Sequence, residues 1–235
     1  CPGSGVINVM SSSKCSLCTF IKSSIGRKLV VALTGLALVL FLAGHLSGNL
    51  LIFAGAEVFD AYAEFLHSFL HGMGVWVARI SLLACFVIHI WFTVLLTREN
   101  KKARTPYMHE ATVQASKSSR IMIWSGLTIL AFVIFHLLHF TVRIDSDLAA
   151  LGEASPWEMV IQGFQNPLVT IFYVIAMTLL CSHLSHGVAS IFQTLGLRSK
   201  KTAGAIKFIS CAYAFVIYVG FISIPLSIWL FGFGR

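Results

Sequence analysis

Six of the nine histidines fall inside long apolar stretches of the chain: His45, His89, His136, His139, His183 and His186. An imidazole at membrane depth is costly, and where one persists it usually has a function. Two imidazoles that face each other at equal depth can hold a haem iron between them as axial ligands. The apolar stretches cover roughly residues 28–54, 74–97, 120–142, 167–196 and 206–232, and each of the first four carries at least one of these histidines. Four such helices can supply two facing pairs.

The positioning elements follow from composition. Of the 235 residues, 57% are hydrophobic and 11% charged, with a mean hydropathy of +0.85. A soluble domain carries roughly 25% charged residues, so this chain lacks the polar surface to cover itself in water. Each stretch reaches the roughly 20 apolar residues that span a bilayer. The expected fold class is therefore all-α, an integral membrane bundle of five transmembrane helices, with residues 1–235 forming a single membrane domain.

Charge sets the expected direction. Lys14, Lys22, Arg27 and Lys28 precede the first span. Arg98, Lys101, Lys102, Arg104, Lys117 and Arg120 flank the second connection, and Arg198, Lys200, Lys201 and Lys207 the fourth. The first connection holds Glu57, Asp60 and Glu64, and the third Asp145, Asp147, Glu153 and Glu158 against a lone Arg143. Basic residues collect on the cytoplasmic side, which puts the N-terminus inside and the C-terminus outside. The net charge of +8 thus reads as orientation in a membrane, and no nucleic-acid partner is expected.

Depth then sorts the histidines. At 1.5 Å per residue, His45 lies about 27 Å beyond Arg27, and His136 and His139 about 24 and 28 Å beyond Arg120. His89 lies about 14 Å from Arg98, with His186 and His183 about 18 and 22 Å from Arg198. An outer pair of His45 with His136 or His139 results, and an inner pair of His89 with His186 or His183. Depth favours His186 over His183 and does not separate His136 from His139. Gly44 and Gly48 flank His45, and Gly187 follows His186. Such residues let a flat macrocycle approach the backbone, although Gly44 and Gly48 also form a helix-packing GxxxG.

Both outer connections are expected to hold surface helices. Ser155-Pro156-Trp157-Glu158 reads as a capping box. In the first connection Val58, Tyr62, Phe65, Leu66, Phe69 and Leu70 share one helical face, and Glu57, Asp60, Glu64, His67 and His71 the other. Glu64 and His67 are the candidate pair for proton exchange at that surface. Of the six cysteines, Cys85, Cys181 and Cys211 lie in apolar runs as small fillers. Cys15 and Cys18 form one CxxC, short of the four ligands of a zinc site.

Several strings carry a family likeness: Thr34-Gly35-Leu36 with Gly44-His45, Phe135-His136-Leu137-Leu138-His139-Phe140-Thr141, and Gly163-Phe164-Gln165-Asn166-Pro167. His183-Leu184-Ser185-His186-Gly187 leading to Phe192-Gln193-Thr194-Leu195-Gly196 is another. Together they resemble the cytochrome b membrane subunit of succinate:quinone oxidoreductases, in the five-helix, two-haem class of succinate dehydrogenases and fumarate reductases. The likeness runs from Ser23 to about Leu226. It implies two haem b groups, with His45 and His136 as axial ligands of the outer iron and His89 and His186 of the inner one. His139 and His183 would then support haem propionates or shape a cavity.

The resemblance also implies a bacterial cytoplasmic membrane location and a place in respiratory electron transport. Its implied partners are a flavoprotein with FAD, an iron–sulfur subunit, lipid and menaquinone, in a complex that can oligomerise further. No dinucleotide fingerprint or cluster-binding cysteine set occurs here, so succinate chemistry is expected on the partners. Arg98, Arg120 and Lys207 are candidates for docking them. One departure concerns the membrane glutamate that some fumarate reductases of this class use as a proton route: its position is Leu184 here. Two competing readings are the di-haem cytochrome b of a nitrate reductase, hydrogenase or formate dehydrogenase, and a haem-free transporter whose histidines relay protons. The latter predicts repeat symmetry, and none is visible.

Overall fold

A computed structural model describes residues 20, 21, 23–102 and 115–234. Cys1, Cys15, Cys18, Lys14, Lys22 and Arg104 lie outside the described residues, as does the side chain of Arg120.

The Ser23 hydroxyl accepts the Gly26 N–H at 3.0 Å and opens helix α1, Ser24–Leu50. A 3₁₀ turn, Leu51–Ala54, and Gly55 at φ 102°, a value that suits glycine, lead into α2, Ala56–Ser68. Helix α3 covers Met73–Lys102. Helix α4, Ala115–Leu137, runs on into a π-helical turn, Leu138–Val142. Two short helices follow, α5 at Ser146–Ala154 and α6 at Pro156–Gln165, and then the long α7, Pro167–Thr194, and α8, Ala203–Phe231. The described chain is all-α.

Five helical segments are long and apolar enough to cross a membrane: Ser24–Ala54, Met73–Asn100, Trp124–Val142, Pro167–Thr194 and Ala203–Phe231. They coincide with the five expected stretches, shifted by up to four residues at their ends. Four of the five, of 28 to 31 residues, reach about 42–46 Å, more than the roughly 30 Å of hydrocarbon. Their ends therefore run into polar surroundings, where Arg27 of α1 forms an ion pair with Glu99 of α3. Arg79, near the other end of α3, lies over the ring of Trp76 with 5.3 Å to its centre. It is a basic residue that the connection-by-connection charge pattern leaves out.

Helix α7 is the hub. It packs against α1, α4 and α8, while α1 also packs against α3 and α8. Ala176, Met177, Leu180 and Leu184 of α7 share the core with Leu46 of α1 and Ala214, Ile217 and Ile224 of α8. The Tyr213 hydroxyl donates to the Val39 carbonyl at 2.5 Å and ties α8 to α1. Among the described residues, neither α1 and α4 nor α3 and α7 pack closely backbone to backbone. These are the two helix pairs expected to carry facing histidines.

The surface helices α2, α5 and α6 gather at one end of the bundle. Helix α2 forms as expected, but its faces divide differently. Phe59 is its buried residue, Tyr62 is half-buried, and Val58, Phe65 and Leu66 are exposed. The ring of Tyr62 covers Gly48, where a Cβ would stand 2.6 Å from the hydroxyl oxygen, so Gly48 admits this helix and not a macrocycle. Asp60 is not part of a solvated stripe. It accepts from the Ser155 hydroxyl at 2.6 Å and from the Trp157 N–H at 2.8 Å, joining α2 to the start of α6.

One half of the expected capping box forms, with the Ser155 hydroxyl accepting the Glu158 N–H at 3.2 Å. The other half does not, because the Ser155 N–H already bonds the Leu151 carbonyl at 2.7 Å, closing α5. Replacing Asp60 with Asn removes a charge-assisted contact to two donors. Such contacts contribute about 1–3 kcal/mol, and D60N is expected to lower the denaturant midpoint of the detergent-solubilised protein accordingly. An unchanged midpoint would show that the junction of α2 and α6 is held by apolar packing alone.

Candidate functional site

The six spanning histidines fall into two clusters. The first, near the surface helices, begins with His45, 21 positions into α1 and so about 32 Å along it. His136 stands at the end of α4 and His139 in the π-helical turn beyond it. Wide π turns recur at functional sites. The rings of His45 and His136 meet with centres 5.9 Å apart and planes at 82°. Phe41 stacks on His45 at 5.2 Å and Phe132 on His136 at 5.8 Å. His139 sits to the side against Phe140, centre to centre at 4.0 Å, and Phe135 at 5.5 Å. The Tyr173 hydroxyl of α7 lies 3.2 Å from Nδ1 of His136 and 3.1 Å from Nδ1 of His139.

The second cluster lies further from the surface helices. His89 of α3 reaches Thr34 of α1, with Nδ1 and Oγ1 3.0 Å apart. His183 of α7 reaches Ser125 of α4 at 3.3 Å through its Nδ1. His186 is exposed, its Nδ1 3.1 Å from the carbonyl of Ser182.

Hydrogen bonds link the tautomers of this second cluster to its hydroxyls. A hydroxyl has one proton to donate. Thr34 reaches the Val30 carbonyl at 2.7 Å as well as His89, and Ser125 the Met122 carbonyl at 3.2 Å as well as His183. With the hydroxyl proton on the carbonyl, the oxygen accepts from Nδ1 of its histidine. His186, facing a carbonyl, donates from Nδ1. In that arrangement the rings keep a free Nε2 lone pair, the form in which an imidazole binds a metal while its other nitrogen is held in place.

Do these residues fit two haem groups? Two axial imidazoles on one iron place their ring centres roughly 6 Å apart, given metal–nitrogen bonds of about 2 Å, and His45 with His136 matches that. Gly44 and Gly187, beside His45 and His186, have no atom within 4 Å of where a Cβ would stand. Gly35 faces His89, where a Cβ would come within 3.2 Å of the imidazole Cε1. The spacing of the first pair and the open space beside Gly44 and Gly187 fit such groups.

Glu64 and His67 stand apart from both clusters as exposed residues of α2. The Nδ1 of His67 donates to the carbonyl of Ala63 at 2.8 Å. Tyr173, Thr34 and Ser125 are the site residues that histidine spacing did not reveal. A signal for two of them does exist, since Thr34 precedes His45 and Ser125 precedes His136 by the same 11 positions. That is three helical turns, so hydroxyl and imidazole share one helix face about 16 Å apart.

Residues 95–221, more than half of the chain, match the model of the succinate dehydrogenase/fumarate reductase transmembrane subunit family. The chain belongs to that family. The matched stretch holds His136, His139, Tyr173, His183 and His186, while His45 and His89 precede it. Curated proteins and solved structures yield no match to the chain. The protein is thus a multi-pass membrane subunit of the succinate dehydrogenase/fumarate reductase kind. Within this subunit Gly35 guards the approach to His89. Gly35→Leu is expected to push the imidazole off Thr34 and shift its ring-nitrogen resonances in isotope-labelled protein, while those of His45 and His136 stay in place. Unmoved His89 resonances would show that the ring has room the packing does not reveal.

Proposed function

We propose that this subunit is a di-haem cytochrome b that anchors a flavoprotein and an iron–sulfur subunit and exchanges electrons between them and menaquinone. The observation that carries this reading is the pairing of His45 with His136 across helices whose backbones stand apart, with His89 held against α1 at Thr34, about 16 Å away along that helix. His45 and His136 would hold one haem iron and His89 and His186 the other. For the second iron, Gly187 with open space beside His186 supports that residue, leaving His183 to shape the wall from Ser125. The haem groups, when bound, supply one-electron carriers at two depths.

The chain's own residues fix ring orientation through Thr34, Ser125 and Tyr173, and exclude water with the surrounding phenylalanines. The basic ends, with Arg98 and Lys207, support docking of the soluble subunits on the side of the N-terminus, read as cytoplasmic. Glu64 and His67, three positions apart on the exposed face of α2, support proton exchange with a quinone at the opposite surface. Succinate and fumarate would interconvert on the flavoprotein.

The test is a dithionite-reduced minus oxidised optical spectrum of the purified protein with haem counted per polypeptide. Two b haems are expected. His45→Ala, His89→Ala and His186→Ala should each leave one, and His183→Ala should leave two. A folded, haem-free protein overturns the reading, and a haem lost with His183→Ala in place of His186→Ala moves the ligand.

A further inference from the structure

Tyr173 belongs to neither ligand set, yet its hydroxyl stands between two imidazoles at hydrogen-bonding distance from the Nδ1 of each. The residue is buried, with 6% of its surface exposed, and among the described residues its hydroxyl oxygen has no other protein partner. A phenol has one proton to give and lone pairs to receive. It can donate to one Nδ1 only, and the other Nδ1 must then carry a proton and donate to the phenol oxygen. The two rings therefore hold opposite tautomers, one with Nε2 bare and one with Nε2 protonated.

Their surroundings decide which is which. His136 points across the bundle at His45. His139 packs to the side on Phe140 and Phe164, and lies 3.3 Å from where a Cβ of Gly163 would be. We propose that Tyr173 is the positioning residue of the first cluster: its oxygen accepts the Nδ1 proton of His136, which bares Nε2 for iron, and its own proton goes to Nδ1 of His139. This rests on the di-haem reading above. His139 is thereby excluded as a ligand and held as a fixed Nε2–H donor at the rim of the cluster. An acceptor on the Nδ1–H of a ligating imidazole also makes that ligand more basic and favours the oxidised metal.

The experiment compares wild type, Tyr173→Phe and His139→Gln in the purified complex, reading haem count, low-spin electron paramagnetic resonance and the midpoint potential of each haem. The haem lost in His136→Ala identifies the relevant signals. Expected for Tyr173→Phe is two haems, with a raised potential and a shifted resonance for that one haem and no change in the other. His139→Gln should keep both haems, and this arm decides the ligand assignment if Tyr173→Phe fails to assemble. Unaltered signals in Tyr173→Phe, or loss of the haem in His139→Gln, overturn the proposal while leaving two haems in wild type. A wild type without haem overturns the functional reading and this proposal with it.

Discussion

An imidazole inside hydrocarbon must engage its ring nitrogens within the protein, because no water is there to do so. An unpaired buried donor or acceptor costs about 1–3 kcal/mol, so six unpaired histidines would cost roughly 6–18 kcal/mol, as much as the whole net stability of a typical fold. The bundle meets this constraint at His45 with the Asn49 amide, 3.4 Å from Nδ1, and at the other five rings through Nδ1. Nδ1 of His89, His136, His139 and His183 each faces a hydroxyl from a different helix, and Nδ1 of His186 faces a carbonyl of its own. Where Nδ1 donates, Nε2 is left bare. One local rule thus holds the rings and prepares them as ligands.

The same rule ties the two clusters to each other. Helix α1 gives Thr34 to one and His45 to the other; α4 gives Ser125 to one and His136 to the other; α7 gives His183 and Tyr173. Rotation of α1 or α4 about its axis would break both clusters at once, since hydroxyl and imidazole share a face. Rotation is resisted from outside the clusters. Tyr213 fastens α8 to α1, the ring of Tyr62 seats in the space that Gly48 leaves on α1, and Asp60 joins the surface helices. Helix α8, the one span without a histidine, contributes packing, with Ala214, Ile217 and Ile228 almost fully buried.

Much of this was legible in the chain because the bilayer imposes one length scale and one polarity rule on every span. Hydropathy located all five helices, and counting residues from the charged edges brought His45 to the level of His136. What counting cannot supply is the direction in which a side chain leaves its helix relative to its neighbours. Depth left His136 and His139 equal, and only their surroundings separate them. Asp60 fits a polar stripe by periodicity, yet it caps a helix nearly 100 positions away, a partner that no local pattern encodes. Helix α5 was missed for a different reason: its start signal, Asp145 accepting from the N–H groups of Asp147 and Leu148, lies among acidic residues that read first as charge.

Leu184 bears on how the proposed electron path relates to charge across the membrane. It is 5% exposed, in the core between α7 and its neighbours, and places an apolar side chain there. None of the five expected spans contains Asp or Glu. A proton cannot be handed along α7 by a carboxylate that is absent. On the di-haem reading, electrons moving between the two levels would then cross without a compensating proton along this helix. Protons of the quinone reaction would have to come from the surface, where Glu64 and His67 are exposed. The direction of electron flow would therefore be sensitive to membrane potential.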